Sequence, residues 1–140
     1  ITNATFNKCD FTSCNLSGIN FTKSNLAGSN FKSVNLNGAL FENAVLESAK
    51  FPNANCSNVS FKNANCFEAK FINARLNNAM FNNCNLLWCK FKKSKGKLTF
   101  NAFDGADVGF ADFEHSCINN LHLKNARNVN KATNLTIINE

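Results

Sequence analysis

Residues 61–81 read FKNANCFEAKFINARLNNAMF, and Phe61, Cys66, Phe71, Leu76 and Phe81 fall at every fifth position. Followed in both directions, the spacing holds without a break from Phe6 to Phe91, passing through Phe11, Leu16, Phe21, Leu26, Phe31, Leu36, Phe41, Leu46, Phe51, Cys56 and Leu86. Two residues before each stands a second small or apolar side chain, among them Ala4, Cys9, Ala44, Ala64 and Cys84, with Ser24 and Ser29 as departures. An α-helix cannot bury this pattern, because a step of five turns the apolar position by roughly 140° each time. A flat strand fails as well, since strict alternation sends successive Phe residues to opposite faces. Inward positions spaced two, three, two, three describe a chain that turns a corner in every repeat and winds into a coil.

The segments ANCFE (64–68), ARLNN (74–78) and VNLNG (34–38) resemble the pentapeptide-repeat family, whose pattern is Ala, then Asn or Asp, then Leu or Phe, then two free positions. The resemblance extends over residues 4–125. It implies an all-β fold, a right-handed quadrilateral β-helix with four pentapeptides per coil and about six coils in this chain. At that repeat Phe21, Phe41, Phe61 and Phe81 stack on one side and Phe31, Phe51, Phe71 and Phe91 on the opposite side. Leu26 and Leu46 fall on a third side, and Leu36 and Leu76 on the fourth. Each layer then holds two Phe and two smaller residues, which keeps the core volume constant along a rod roughly 30 Å long.

At KFKKSKGK (90–97) the period slips: the inward position due at 96 moves to Leu98, and Phe103, Val108, Phe113, Ile118 and Leu123 resume the count. A two-residue bulge at 92–97, ringed by Lys90, Lys92, Lys93, Lys95 and Lys97, is the expected loop. The domain reading is a β-helix over 1–127, with 128–140 as a C-terminal cap or association segment, because solenoid ends expose unpaired backbone. Homodimerisation through an end of the coil is a corollary. Stacked Asn15, Asn35 and Asn55 are expected to form a hydrogen-bonded ladder.

Fifteen Phe with no Tyr describe a dry core. Of the seven cysteines, Cys9, Cys14, Cys56, Cys66, Cys84 and Cys89 fall on inward positions and Cys117 outward. The repeat dictates the Cys9/Cys14 and Cys84/Cys89 spacings and no His accompanies them, so neither a metal nor another cofactor is expected. Unpaired inward thiols favour the cytoplasm. No apolar run is long enough for a transmembrane segment.

The net charge of +6 is unevenly spread. Residues 1–100 carry twelve basic and four acidic side chains, +8; residues 101–140 carry three and five, −2. Lys50, Lys70 and Lys90 share one outward column, and like charges one coil apart repel unless an anionic partner meets them. Phe67, Leu87, Trp88 and Phe110 form an outward apolar group of the kind that anchors protein contacts. With Lys92 and Lys93 they make the candidate partner-binding surface. His115 and His122 fall on opposite sides, and a filled coil leaves no cleft, so no enzyme is expected. The leading reading is a non-enzymatic scaffold for protein–protein interaction. The resemblance also implies an alternative, a DNA-mimic binder of DNA gyrase or topoisomerase IV of the quinolone-resistance type, although mimicry calls for an acidic surface. A third reading has the basic side binding nucleic acid or an anionic surface directly, with steep salt dependence.

Overall fold

A computed structural model describes residues 1–139 as a four-sided coil of short bridged segments. Along the regular coils, from Thr5↔Asn25 to Arg75↔Lys95, parallel bridges join residues twenty apart, among them Asn15↔Asn35, Leu40↔Ser60, Val45↔Asn65 and Lys50↔Lys70. Each five-residue side thus lends one bridged residue to a column running along the rod.

The corner geometry follows from the residues two places after each inward centre. In Phe41–Ala44 the Ala44 N–H donates to the Phe41 carbonyl at 3.1 Å, and Asn43 between them has φ 60°. A positive φ at the third turn residue is the type II arrangement, which favours Pro at the second place and Gly or Asn at the third. Pro52 and Asn53 occupy those two places in the Phe51–Ala54 turn, ten residues on and on the opposite side of the coil. Backbone donors are then almost fully used: the N–H groups of Leu26, Gly28 and Asn25 reach adjacent coils at 2.8 Å each.

The donor left over is the N–H just after the inward residue, and the Asn just before it supplies the acceptor. Asn25 Oδ1 accepts from Ala27 N–H at 3.1 Å, and Asn35, Asn55, Asn65 and Asn85 do the same for Asn37, Ser57, Phe67 and Leu87. This local closure, an Asx turn, is the main work of the recurrent Asn. The expected ladder forms beside it: Asn85 Nδ2 donates to Asn65 Oδ1 at 3.1 Å, Asn78 Nδ2 to Asn58 Oδ1 at 3.3 Å, and Asn55 Nδ2 to Asn35 Oδ1 over a longer 3.4 Å.

Inside, the Phe rings form two stacks. Phe31, Phe51 and Phe71 lie parallel at 4.8 Å centroid separations, and Phe61–Phe81 at 4.9 Å. Across the core the stacks meet edge to face, as in Phe51–Phe61 at 5.7 Å and 84°, the geometry ring quadrupoles favour. The stacked rings Phe21, Phe31, Phe41, Phe51, Phe61, Phe71, Phe81, Phe91, Phe103 and Phe113 and the inward Leu26, Leu36, Leu46, Leu76 and Leu86 are buried.

Three local expectations change. The twenty-residue register persists to Lys97, whose carbonyl accepts from Asn78 N–H, and becomes twenty-two at Ala102, whose carbonyl accepts from Phe81 N–H. The two extra residues therefore fall within 98–101, just after the 92–97 segment, because the Lys97 N–H is held by Asn77 Oδ1 at 2.8 Å. The coil also continues past 127: Asp112 bridges Thr133 and Asn119 bridges Thr136. A 3-10 turn at Val129–Lys131 takes up the irregular spacing there. Finally, Cys14 is exposed and Cys117 half-buried. Cys14 lies in the first coil, which has a neighbour on one side only, whereas Cys117 is drawn in by its N–H bond to the Ser94 carbonyl at 2.9 Å.

Candidate interaction surface

One corner of the coil carries two neighbouring columns. The first, at the positive-φ turn position, runs Ser48, Glu68, Trp88 and Phe110. The second, at the bridge position, runs Lys50, Lys70, Lys90 and Asp112.

Trp88 and Phe110 are 53% and 42% exposed. Their rings lie parallel, 4.6 Å apart and 12° from coplanar, and Lys131 Nζ stands 5.8 Å from the Phe110 centroid on the other side. Backbone φ is 60° at Trp88 and 58° at Phe110. Left-handed backbone costs a residue with a Cβ about 1–2 kcal/mol, which is why Asn and Gly fill most such positions here. Two bulky aromatics at this place are costly for the isolated coil, and their stacking returns only about 0.5–1.5 kcal/mol.

Below the indole, toward the preceding coil, the column drops to Glu68 and Ser48. The step leaves a notch of about 280 Å³ lined by Ser48, Lys50, Glu68, Lys70, Trp88 and Lys90. Among the described residues none of Lys50, Lys70 and Lys90 makes an ion pair, whereas Lys92 pairs with Glu114 at 3.0 Å, and His115 Nε2 lies 3.8 Å from the same carboxylate. Lys at the bridge position also gives up the Asx turn, since its ammonium has no acceptor. Lys50 loses nothing by this, because the next turn residue is Pro52, which has no N–H. Lys70 and Lys90, followed by Ile72 and Lys92, do forgo it.

The structure brings Trp88, Phe110 and the three column lysines together and sets the remaining candidates apart. Phe67 and Leu87 are half-buried, and Leu87 lies so close over Gly109 that a Cβ there would sit 2.8 Å from Leu87 Cδ2. Lys92 is engaged by Glu114, and Lys93 lies on the next corner of the coil with φ 58°. Glu68 stands twenty residues before Trp88 in its column and is within reach of a fixed-period reading, whereas Lys131, beyond the slip, escapes one. Counting twenty-two and then twenty-one residues past Trp88 would have found Lys131. Phe100, 62% exposed at the extra corner, is likewise hidden by the slip; its ring lies 5.2 Å from His122. His122 is buried, with Nδ1 accepting from Asn119 N–H at 3.1 Å. Burial lowers its pKa, opposed by a hydrogen bond with the Leu98 backbone.

In the core, burial raises the thiol pKa values of Cys56 and Cys89. For Cys66 the contact with the Cys84 thiol is the larger cause, with burial adding to it. No cluster of His, Cys, Asp and Glu suited to a metal occurs among the described residues, and no helix there is long and apolar enough to cross a membrane.

The twenty-residue coil, the inward Phe and Leu stacks and the turn chemistry define a right-handed quadrilateral β-helix. The family model for pentapeptide repeats matches residues 4–43, 39–66 and 60–95 in eight copies, and the chain belongs to the pentapeptide-repeat family. No curated protein sequence matches it. Among solved structures it is similar to HetL, a pentapeptide repeat protein involved in heterocyst differentiation regulation from the cyanobacterium Nostoc sp. strain PCC 7120. The likeness covers 97% of this chain and 70% of HetL at 16% identity, with a TM-score of 0.60. A pentapeptide repeat protein of the Arabidopsis thaliana thylakoid lumen gives 26% identity over 94% of this chain and 83% of its own, with a TM-score of 0.54. QnrB1, a plasmid-mediated fluoroquinolone resistance protein, gives 19% identity over 99% and 82% of the two chains with a TM-score of 0.37, too low to bear on function.

Proposed function

We propose that the protein is a non-enzymatic scaffold that binds a protein partner through the Trp88–Phe110 stack and the adjacent Lys50, Lys70 and Lys90 column. The observation that carries this reading is the placement of two exposed aromatics on left-handed backbone. Backbone strain clusters at functional sites, and Trp is among the residues enriched as binding anchors. The unpaired Lys column adds a demand for negative charge on the partner. Segment 128–140 acts as the cap of the C-terminal end, a reading supported through residue 138 by the Thr136 bridge and the Asn120–Ile138 hydrogen bonds. Unpaired core thiols support a reducing compartment such as the cytoplasm.

The basic charge weighs against the DNA-mimic alternative, since a surface resembling duplex DNA is acidic. The test is capture of partners from lysate by the unmodified protein and by a Trp88→Asn, Phe110→Asn variant. A partner held by the first and lost by the second supports the scaffold reading; equal capture removes it.

A further inference from the structure

We infer that the element received by this corner is an acidic amphipathic helix, lying along the rod with three carboxylates on Lys50, Lys70 and Lys90 and one apolar side chain in the notch under Trp88. This rests on the scaffold reading and specifies its partner. The first ground is a match of periods. The column rises one coil per lysine, and the inward rings mark that rise as 4.8 to 5.0 Å. Side chains on one face of a helix recur about every 5.4 Å, one turn. An extended strand presents one face about every 6.8 Å, and a duplex strand places its phosphates at a wider and rotating interval. Over the two steps from Lys50 to Lys90 a helix drifts by roughly 1 Å, within reach of flexible lysines, whereas a strand drifts by roughly 4 Å.

The second ground is the length of the ladder. Its column runs Asp10, Asn30, Lys50, Lys70, Lys90, Asp112, Thr133, so the three lysines are flanked by a neutral Asn on one side and an acidic Asp on the other. A fourth carboxylate in register past Lys90 would face Asp112. The site therefore measures three carboxylates and sets the position of the bound element along the rod.

The third ground is the division of chemistry across the corner. The notch beside the lysines has the Trp88 indole as one wall and Glu68 within it. Glu68 repels a carboxylate there, while the exposed indole face accepts an aliphatic side chain. Charge is thus directed to one column and apolar surface to the other, as on the two edges of an amphipathic helix.

The chain contains one Trp and no Tyr, so its indole fluorescence reports on the notch alone. The experiment is a titration of the intact protein, by fluorescence and calorimetry together, with an alanine-based helical peptide carrying Glu at i, i+4 and i+7 and Leu at i+3. Controls are a peptide of the same composition with the Glu residues spread around the helix, a Pro-interrupted peptide that cannot be helical, and a short DNA duplex. The striped peptide is expected to shift the Trp88 emission, to weaken with salt, and to bind at least about tenfold more weakly to the Lys50→Gln, Lys70→Gln, Lys90→Gln variant. Equal binding of the spread or Pro-interrupted peptide overturns the helix, and preferential binding of the duplex overturns the peptide. Heat of binding without a Trp88 response overturns the location, and no binding of any peptide overturns the inference. In each case lysate capture sensitive to Trp88→Asn would leave the scaffold reading standing, so the two failures are distinguishable.

Discussion

Trp88 lies flat on Phe110, with ring centroids 4.6 Å apart, although the two residues are twenty-two apart and both sit on left-handed backbone. The pair joins the last coil of regular register to the first coil after the extra corner. It does so at the surface, where the fold itself gains little.

That balance predicts the outcome of Trp88→Asn. Asn accepts a positive φ more readily than Trp, returning about 1 kcal/mol, while losing the stack costs about 0.5–1.5 kcal/mol. Denaturant unfolding of the variant should fall within about 1 kcal/mol of the unmodified protein. A loss above roughly 3 kcal/mol would make Trp88 a structural pillar and not an anchor held for a partner.

Gly96 should be the least replaceable glycine. Its φ is 123°, and a Cβ would stand 2.8 Å from the Asn77 backbone nitrogen. At Gly38, with φ 74°, a Cβ would meet nothing within 4 Å. Gly96→Ala should cost roughly 2–3 kcal/mol and Gly38→Ala about 1 kcal/mol. Thermal unfolding of the two variants side by side checks the difference.

Thiol reactivity should divide by layer. Cys14 is exposed, whereas Cys56, Cys66, Cys84 and Cys89 are buried. Burial raises the pKa of Cys56 and Cys89, and the Cys84 thiol together with burial raises that of Cys66. Brief native labelling followed by mass spectrometry should modify Cys14 and leave these four until denaturant is added. Native labelling of Cys66 or Cys84 would mean that the coil opens there.

The corner at 98–101 should loosen in acid. Burial holds the His122 pKa below its ordinary value of 6.5, so the folded state prefers the neutral ring that accepts the Asn119 N–H bond. This contribution is complete above 6.5 and declines as pH falls through the lowered folded value. Amide exchange at Asn119 and Phe100 should therefore quicken on acidification, beyond the intrinsic change, and His122→Phe should abolish the added dependence. Exchange unaffected by that substitution would contradict the assignment.

Much of this architecture is legible in the residues because the repeat writes it many times over. Any coil between Phe6 and Phe91 carries the inward centres and the small residues before them, and Gly38 or Asn43 marks the corner. What a period cannot convey is an interruption. The two residues added within 98–101 move Phe110 and Lys131 out of any column counted by twenties, which hides the cation over Phe110. The Asn ladder is legible because stacking is the visible relationship in sequence. The bond to the N–H two residues on, as from Asn25 to Ala27, emerges only when every donor of the coil is traced. Likewise the strain at Trp88 is a backbone property that its side chain does not announce.

The most direct measurement places a photo-cross-linking residue at position 110 in one variant and at position 58, on another corner, in a second. Both are irradiated in lysate. Protein adducts at 110, lost on Trp88→Asn and absent at 58, are the predicted result. Adducts at 58 with none at 110 would contradict the account, and function would then lie on the Asn-rich corner.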